Sequence, residues 1–497
     1  MRAYQSLVDQ FTRLNRLAHA STFLGWDQEV MMPPGGAESR AQAMAELHQL
    51  QHEMLTAPQL GDWFAEAQQQ TLSADEQASL REMHRQWLQA SCLPSDLVQA
   101  QSLASSRCSH AWREQRGKND WQGFLSNFKE LVNLSRQEAK ARMDAADGAF
   151  DTPYDALLDL YSSGDTSTSI GKVFDGLKAE LPELINTVIE RQRRRPHVDL
   201  SGHYPVASQE QLSREVMKLL GFDFNNGRLD ISSHPFSTGV RGDHRITTRY
   251  NEDGFIDALM GTVHETGHAS YEAGLPEAWN GLPVGEARSM SIHESQSLLF
   301  EKQLLLSQPF VRYLTPMIQR HFPALKEVDN DEFWHAMTHV QRGFIRVDAD
   351  EVTYPMHIVL RYEIESKLIN GEMEAEDIPD AWAEKMHDYL GLDTRGNYKD
   401  GCLQDIHWPS GAFGYFPSYT LGALNAAQLF AAMHRDMEDL DAHLGRGDVT
   451  PLRQWLGEKI WSKGSFLSSE ELMTQATGET TNPEYFIRHI RSRYLEG

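Results

Sequence analysis

The chain has 497 residues, of which 40% are hydrophobic and 24% are charged, and its formal net charge is −25. So acidic a protein repels nucleic acids and anionic membranes, and we expect neither as a partner. No stretch approaches the roughly 18 apolar residues of a membrane span, and the amphipathic N-terminus lacks the apolar core of a signal peptide. The three cysteines are too scattered for a disulfide framework. We therefore expect a cytoplasmic protein.

The first part of the chain, residues 1–195, has an almost wholly helical pattern. Apolar residues from Leu7 to Leu17 recur at spacings of three and four, the period of one helix face. A Pro-Pro-Gly-Gly sequence at 33–36 predicts a sharp break after this helix. Further helices are predicted at 37–55, 74–91, 95–117, 120–147 and 168–195.

An arginine-rich run closes this part, with arginines at 191, 193, 194 and 195. Cations are favoured at the carboxyl end of a helix, where the macrodipole is negative. We interpret the run as such a helix end, and an anion-binding site is the other reading.

The pattern changes between residues 222 and 250. A turn signal at Asn225-Asn226-Gly227 precedes two short β-like segments within 228–250. One of these two is 243–250, where the alternation predicts a strand. A small sheet here could form a groove wall to which a peptide adds as an extra strand. Helices resume afterwards, at 254–273, 286–307, 309–321, 331–342, 353–370, 377–390, 422–445 and 450–463.

The most informative pattern is residues 264–268, which read HETGH. Histidines four residues apart in a helix, here His264 and His268, lie on one face and suit one Zn²⁺. Glu265 between them is placed to take the proton of an attacking water. Apolar residues at helical spacing over 255–263 place the pattern inside a helix. Because H-E-x-x-H is typical of zinc peptidases, peptide hydrolysis is our leading hypothesis.

Two histidines leave a catalytic zinc one protein ligand short. The helix predicted after the loop 274–285 would return antiparallel to the first and offers further candidates. Glu294, near its middle, is our first choice, and the neighbouring His293 is the competing ligand. Because no acid follows Glu294 by three or four residues, the groups that orient the histidine rings stay unassigned.

Six motifs in a fixed order carry a more specific resemblance. They are HPF at 234–236, D-x-R-x-T at 243–247, HETGH, HESQ at 293–296, IRVDAD at 345–350 and G-x-x-Q-D-x-H-W at 401–408. The opening LGWDQEVMMPPGG fits the same pattern. With these motifs the chain resembles the carboxypeptidase Taq family of HExxH metallocarboxypeptidases over nearly its whole length.

The resemblance implies a mainly α-helical fold with a deep substrate groove, similar to the angiotensin-converting-enzyme and neurolysin group. We expect one domain over residues 1–497. Within it, 1–195 would form a groove wall, 222–250 a small β element beside the zinc helix, and 254–497 the part that carries the metal site. The resemblance also implies a homodimer.

The activity that the resemblance implies is release of single C-terminal residues from peptides, with broad side-chain tolerance. It assigns His264, His268 and Glu294 as metal ligands and Glu265 as general base and acid. Zinc is the default metal, one ion per chain, and cobalt is a substitute that the family also accepts.

A carboxypeptidase must hold the free α-carboxylate of its substrate, and arginine is the best bidentate partner for a carboxylate. Arg346, in the IRVDAD motif, is our first candidate. Arg245 is the second, although its pairing with Asp243 could instead brace the strand.

Other motif residues are candidates for contacts with the scissile bond. We assign His407 and Tyr419 as candidates for the oxyanion or the substrate carbonyl, and His234 for a contact with substrate. The glycine- and aromatic-rich segment 411–422 is either a mobile flap or a well-packed turn.

Two other functions compete with this reading. A zinc oligopeptidase that cuts internal or dipeptidyl bonds would use the same metal chemistry, and only the placement of the carboxylate-binding arginine would separate the two. A helical interaction protein with a structural or vestigial metal site is the second alternative. Structural zinc favours a closed, cysteine-rich ligand set, and no cysteine lies near HETGH.

Overall fold

The structure, a computed structural model, describes residues 3–195 and 198–496. Helices account for 68% of it. The helices before the sheet are α1 (Ala3–Val30), α2 (Ala37–Leu55), α3 (Gln59–Ala67), α4 (Ala74–Ser91), α5 (Ser95–Gly117), α6 (Trp121–Ala145), α7 (Pro153–Leu158), α8 (Ser167–Gln192) and α9 (Val206–Leu219). The predicted spans also take in Met1, Arg2, Pro196, His197 and Gly497, which lie outside the described residues.

Local capping chemistry sets several of these boundaries. The Ser73 side chain accepts from the backbone N–H of Glu76, whose carboxylate accepts from the Ser73 N–H in return, and α4 therefore begins at Ala74. Thr152 and Asp155 form the same reciprocal cap at the start of α7. Helices α3, α7 and α9 were not predicted.

A small sheet follows α9. Its strands are β1 (Gly227–Ile231), β2 (Phe236–Val240) and β3 (Asp243–Thr248), in the order β1-β3-β2. The central strand β3 runs parallel to β1 and antiparallel to β2. Our prediction of two β segments was wrong by one strand, because β2 is short and polar enough to read as a loop.

The remaining helices follow the sheet. They are α10 (Ile256–Gly274), α11 (Met290–Leu298), α12 (Gln308–His321), α13 (Asn330–Met337), α14 (Tyr354–Ile369), α15 (Ile378–Leu390), α16 (Pro417–Asp436), α17 (Leu440–Leu444), α18 (Thr450–Lys459), α19 (Ser469–Thr477) and α20 (Pro483–Arg491). Among these helices, α10 packs against β2 and β3, and the others pack mainly against one another and against earlier helices. A π-helical segment, Leu299–Leu305, continues α11. Helices α19 and α20 were not predicted.

Some predicted boundaries in this half were wrong. The helix expected from residue 286 begins only at Met290, because the Ser289 side chain caps it. The helix expected over 331–342 ends at Met337. The helix expected over 422–445 begins five residues earlier, at Pro417, and breaks after Asp436 before α17.

Helix α16 lies between the two large hydrophobic cores. Its residues Leu421 and Leu424 belong to the core formed with α6, α8, α14 and α15. Leu429 and Met433 belong to the other core, formed with α10 to α13 and α18. A smaller cluster joins α1, α3 and α4. No helix among the described residues has the length and apolar character to cross a bilayer.

Candidate active site

Helix α10 places His264 and His268 one turn apart, with ring centroids separated by 4.9 Å. Both rings turn Nε2 toward Glu294 on α11. Oε2 of Glu294 lies 3.8 Å from Nε2 of His264 and 3.5 Å from Nε2 of His268. The sequence-predicted residues on the two helices thus converge on one point.

This donor set fits a divalent metal ion. One ligand atom from each of His264, His268 and Glu294 lies within 4.8 Å of the others. A tetrahedral ion with ligand distances of about 2.0 to 2.2 Å holds neighbouring ligand atoms about 3.4 Å apart. The separations from Glu294 match that geometry, and two imidazoles with one carboxylate leave a coordination position for water.

Two glycines permit the helices to approach closely enough to form this cluster. A Cβ on Gly267, inside HETGH, would lie 2.6 Å from the carbonyl oxygen of Gln296 and 2.7 Å from Cα of Ser297. A Cβ on Gly422, in α16, would lie 2.7 Å from Cβ of Glu294. Side chains at either position would push α11 away, so these glycines set where the Glu294 carboxylate lies.

The ring of His264 is oriented by Glu301. Its Nδ1 lies 2.9 Å from Oε2 of Glu301, which follows Glu294 by seven residues. Lys302 lies 2.7 Å from the same carboxylate, at Oε1. Burial alone would raise the pKa of the Glu301 carboxyl. Lys302 and His264 have the larger, opposite effect, and together they lower this pKa to about 2. An ionised acceptor therefore fixes which nitrogen of His264 faces the cluster.

The ring of His268 is oriented by a second histidine. Its Nδ1 lies 2.6 Å from Nδ1 of His293, whose Nε2 lies 2.8 Å from Oε1 of Glu272. The competing ligand of the sequence analysis thus contacts His268 and Glu272, and it lies outside the cluster of candidate ligands.

Glu265 lies beside the cluster and lines the same groove. Glu265 as a whole is only 7% exposed to solvent. Burial raises the pKa of this carboxyl to about 7, with His264 acting in the opposite direction. A buried carboxyl with a raised pKa has the character of a group that exchanges protons during a reaction.

The groove that contains the cluster has a volume of about 590 Å³. Its walls come from β2, α10, α11, α14 and α16, and it also receives Phe486 from α20. Its described lining residues begin at Pro235, so none belongs to the N-terminal helices. The role of residues 1–195 as a groove wall stays a prediction.

Arg346 lines this groove and is 5% exposed. Its Nε and Nη2 donate to Oδ1 of Asp405 at 3.0 and 2.8 Å, and Nη1 donates to the hydroxyl of Tyr354 at 2.8 Å. Its guanidinium carbon lies 5.0 Å from the ring centre of Tyr419 and 5.7 Å from that of Phe416. The side chain is therefore held rigidly at the groove.

The other arginine candidate occupies a different environment. Arg245 pairs with Asp243 through two hydrogen bonds of 3.0 and 2.8 Å. Its guanidinium carbon lies 4.2 Å from the ring centres of both Phe23 and Trp26 on α1. Arg245 does not line the groove, and it joins the sheet to α1.

Of the remaining candidates, some line the groove and others, like Arg245, do not. Tyr419 lines the groove, and its hydroxyl lies 3.2 Å from Nε2 of His407, which does not line it. His234 is exposed, and the adjacent Pro235 and Phe236 line the groove in its place. The segment 411–422 is largely buried, which favours the packed alternative over a mobile flap, but only its first part is a turn, because α16 begins at Pro417.

Four features of the site were not predicted from the sequence: Glu301, the His293–Glu272 pair, Tyr354 and Asp405. Acids were sought only three and four residues after Glu294, whereas Glu301 follows it by seven. A spacing of seven, two helical turns, would have found it. Tyr354 and Asp405 lie within or beside predicted motifs, and only tertiary structure shows that both contact Arg346.

Comparison with known proteins agrees with this geometry. The family model for carboxypeptidase Taq (M32) metallopeptidases matches residues 6–494. Thermostable carboxypeptidase 1 of Thermus thermophilus is 36% identical over 501 residues, covering 99% of this chain and 98% of the relative. Carboxypeptidase 1 of Bacillus subtilis is 34% identical, covering 99% of this chain and 97% of the relative.

Solved structures resemble the whole chain. Metallocarboxypeptidase 1 of Trypanosoma cruzi superposes with a TM-score of 0.97 at 41% identity, over 100% of both chains. An M32 carboxypeptidase of Deinococcus radiodurans superposes with a TM-score of 0.95 at 31% identity, over 100% of this chain and 99% of its own. The mainly α-helical fold expected from the sequence is confirmed. This chain belongs to the carboxypeptidase Taq (M32) family of metallopeptidases and is a metal-dependent carboxypeptidase.

Proposed function

We propose that the protein is a zinc-dependent carboxypeptidase that releases single C-terminal residues from peptides with broad side-chain tolerance. The observation that carries this proposal is the presence of a His-His-Glu cluster and a rigidly held arginine, Arg346, in one groove. The cluster supplies a place for hydrolysis, and the arginine supplies a place for a terminal carboxylate.

His264, His268 and Glu294 are the proposed ligands of one Zn²⁺ per chain, with Co²⁺ as a substitute. When bound, the ion lowers the pKa of water and polarises the scissile carbonyl. Glu301 and His293 hold the ligand rings in place through their Nδ1 atoms, which keeps both Nε2 atoms directed at the ion.

Glu265 is the proposed general base and acid. Its carboxylate accepts a proton from the attacking water and returns it to the leaving amine, so that one residue serves both steps. Its burial in the groove excludes bulk water, which would otherwise compete as the proton acceptor.

Arg346 is the proposed anchor of the substrate α-carboxylate. A guanidinium has five N–H donors, and the bonds to Asp405 and Tyr354 use three of them. Within the described part of the chain, one N–H on each Nη atom is left for a bidentate contact. Arg245 is a poorer candidate because its guanidinium already pairs with Asp243 outside the groove.

Tyr419 is the proposed donor to the substrate carbonyl or the oxyanion. Burial raises the pKa of its hydroxyl well above the usual value, so the group stays protonated and can donate. His407 positions this hydroxyl through its Nε2, and we assign it no direct contact with substrate. The exposed His234 contacts only peptides long enough to extend past Pro235. The homodimer and the cytoplasmic location stay predictions.

One experiment tests the proposal against an oligopeptidase with the same metal chemistry. The zinc-loaded protein is incubated with one peptide as free acid and as C-terminal amide, with and without a chelator. Stepwise loss of single residues from the acid alone, abolished by chelation and restored by Zn²⁺ or Co²⁺, supports a carboxypeptidase anchored on Arg346. Equal internal cleavage of both forms would establish the oligopeptidase.

A further inference from the structure

A second cavity opens at the carboxyl end of α8. Its volume is about 650 Å³, comparable to the 590 Å³ of the catalytic groove, and the two share none of their described lining residues. Residues at the end of α8 and just after it form one side. The end of α13 and the segment that follows it, which leads on to Arg346, form the other.

The described lining of this cavity is cationic. Its cations are Arg193, Arg195 and Arg342; the lining also contains two histidines, His335 and His339, and it includes no aspartate or glutamate. The chain as a whole has 71 acidic and 46 basic residues, so the cavity has the opposite charge balance to the rest of the protein. Such a concentration of arginine at one concave place attracts anions.

The preference of cations for the carboxyl end of a helix does not by itself explain this cluster. Arg342 arrives from a different segment, after α13, and converges on the end of α8. Gln192 fixes the two segments together, because its Nε2 donates to the carbonyl of Val340 at 3.1 Å and its Oε1 accepts from the Val340 N–H at 3.0 Å. The cationic side chains are therefore presented on a joined framework.

Two of the arginines have no acidic partner. The side chain of Arg193 is exposed and makes no ion pair or hydrogen bond within the described residues, and Arg342 donates to the amide oxygen of Asn186 and to no described carboxylate. Nη1 of Arg195 lies 3.0 Å from Nδ1 of His335. Burial, and then the charge of Arg195, lower the pKa of His335. Its ring thus acts as a neutral acceptor.

The cavity also has an apolar wall, formed by Ile189, Val198, Leu200, Ile256 and Val340. Pockets for small organic ligands combine such a wall with a few polar groups and have volumes of about 300 to 1,000 Å³. Guanidinium groups match phosphate oxygens in a bidentate geometry. We propose that this cavity binds an organic phosphate of nucleotide size, with its phosphates on Arg193 and Arg342 and its organic part against the apolar wall.

The test is calorimetric titration of the metal-loaded protein, in phosphate-free buffer without Mg²⁺, with ADP, inorganic phosphate and adenosine as probes. Arg193→Glu and Arg342→Glu reverse one charge each in the cavity. Arg113→Glu is the matched control, because the side chain of Arg113 is also exposed and makes no described ion pair or hydrogen bond but lies on α5, outside the cavity. Folding is checked by the melting temperature of each variant.

We expect ADP to bind more tightly than either inorganic phosphate or adenosine. Each cavity variant should weaken ADP binding by about tenfold or more, and the control by less than about twofold. Equal affinities for ADP and inorganic phosphate would overturn the proposal, because the apolar wall would then contribute nothing. Absence of ADP binding, equal losses in all three variants, or ADP binding that survives both cavity variants and competes with peptide would also overturn it.

Discussion

The carboxylate of Asp405 fixes the guanidinium of Arg346 through a single oxygen, Oδ1, which lies 3.0 Å from Nε and 2.8 Å from Nη2. Its other oxygen accepts from Nε of Arg361 at 2.8 Å. Burial opposes ionisation of this carboxyl, but the charges of Arg361 and Arg346 outweigh it and hold its pKa well below the usual range. Asp405 is therefore ionised at neutral pH, and it keeps Arg346 at one place in the groove.

Replacing Arg346 by methionine should remove the preference for peptides with a free carboxylate. We expect kcat/KM for the free-acid peptide to fall by about 10²- to 10³-fold, because a charge-assisted bidentate contact is lost. Turnover of the matching amide should change little, and metal content should stay unchanged. Arg346→Lys keeps the charge but loses the bidentate geometry, and it should give an intermediate loss. If the ratio of kcat/KM for the free-acid peptide to that for the amide were unchanged in Arg346→Met, another residue would have to bind the substrate carboxylate.

Replacing Glu265 by glutamine should leave the metal bound and abolish turnover. The amide has nearly the same shape but cannot accept the proton of the attacking water, so we expect kcat to fall by about 10³-fold or more. Metal content by elemental analysis separates this result from loss of the cluster. Near-normal turnover in a variant with full metal content would contradict the assignment.

Gly267 and Gly261 offer a matched pair on one helix. A Cβ on Gly267 would lie 2.6 Å from a backbone oxygen of α11, whereas a Cβ on Gly261 would meet nothing closer than 3.9 Å. Gly267→Ala should displace Glu294, weaken metal binding and cost about 1 to 3 kcal/mol of unfolding free energy. Gly261→Ala should stabilise the helix by about 0.5 to 1 kcal/mol and leave metal affinity unchanged. Chelator competition and thermal unfolding of both variants measure these effects.

Glu301 should contribute to metal affinity without touching the ion. Glu301→Gln removes the ionised acceptor of His264 Nδ1, and we expect zinc affinity to fall by about 10- to 100-fold. Glu272→Gln should act in the same direction but more weakly, because Glu272 reaches His268 only through His293. Competition with a fluorescent chelator gives both affinities. If Glu272→Gln lost more zinc affinity than Glu301→Gln, the prediction that Glu301 contributes more than Glu272 would be wrong.

Several parts of the fold could be predicted because their signals are local. The predicted helices over 37–55, 74–91 and 95–117 match α2, α4 and α5 residue for residue. Helical periodicity and flanking proline or serine residues set those boundaries. Helices α7 and α17 are too short to show a period, and the π-helical segment after α11 depends on tertiary packing.

The site was predictable to the extent that its residues share one element. His264, Glu265 and His268 follow from the spacing on α10, whereas spacing alone left His293 open as a competitor of Glu294, which the family resemblance favoured. The contacts of Arg346 with Asp405 and Tyr354 join separate segments. A single sequence carries no signal for such pairs, so the arginine candidates could be separated only once the structure showed that Arg245 pairs with Asp243 away from the groove.

Docking of the C-terminal helix should depend on pH through Glu351. Its Oε1 accepts from Nη1 of Arg493 at 2.7 Å and from the hydroxyl of Tyr494 at 2.6 Å, and its Oε2 lies 3.1 Å from Nε2 of His489. Burial disfavours the ionised carboxyl, but Arg493 and His489 outweigh burial and lower its pKa far below the usual value. The same C-terminal segment supplies Phe486 to the catalytic groove.

Because the folded-state pKa of Glu351 is depressed, its contribution to stability is fully present above the unfolded-state value of about 4.3 and is lost as the pH falls through the folded-state pKa. We expect Glu351→Gln to melt at a lower temperature than the wild type, by an amount that is constant from neutral pH down to about pH 4.5 and shrinks below it. Glu327→Gln, at an exposed glutamate, is the control and should track the wild type at every pH. If the difference in melting temperature between wild type and Glu351→Gln instead grew toward acid pH, the pKa of Glu351 would be raised on folding. The ion pair with Arg493 would then not be what holds α20 in place.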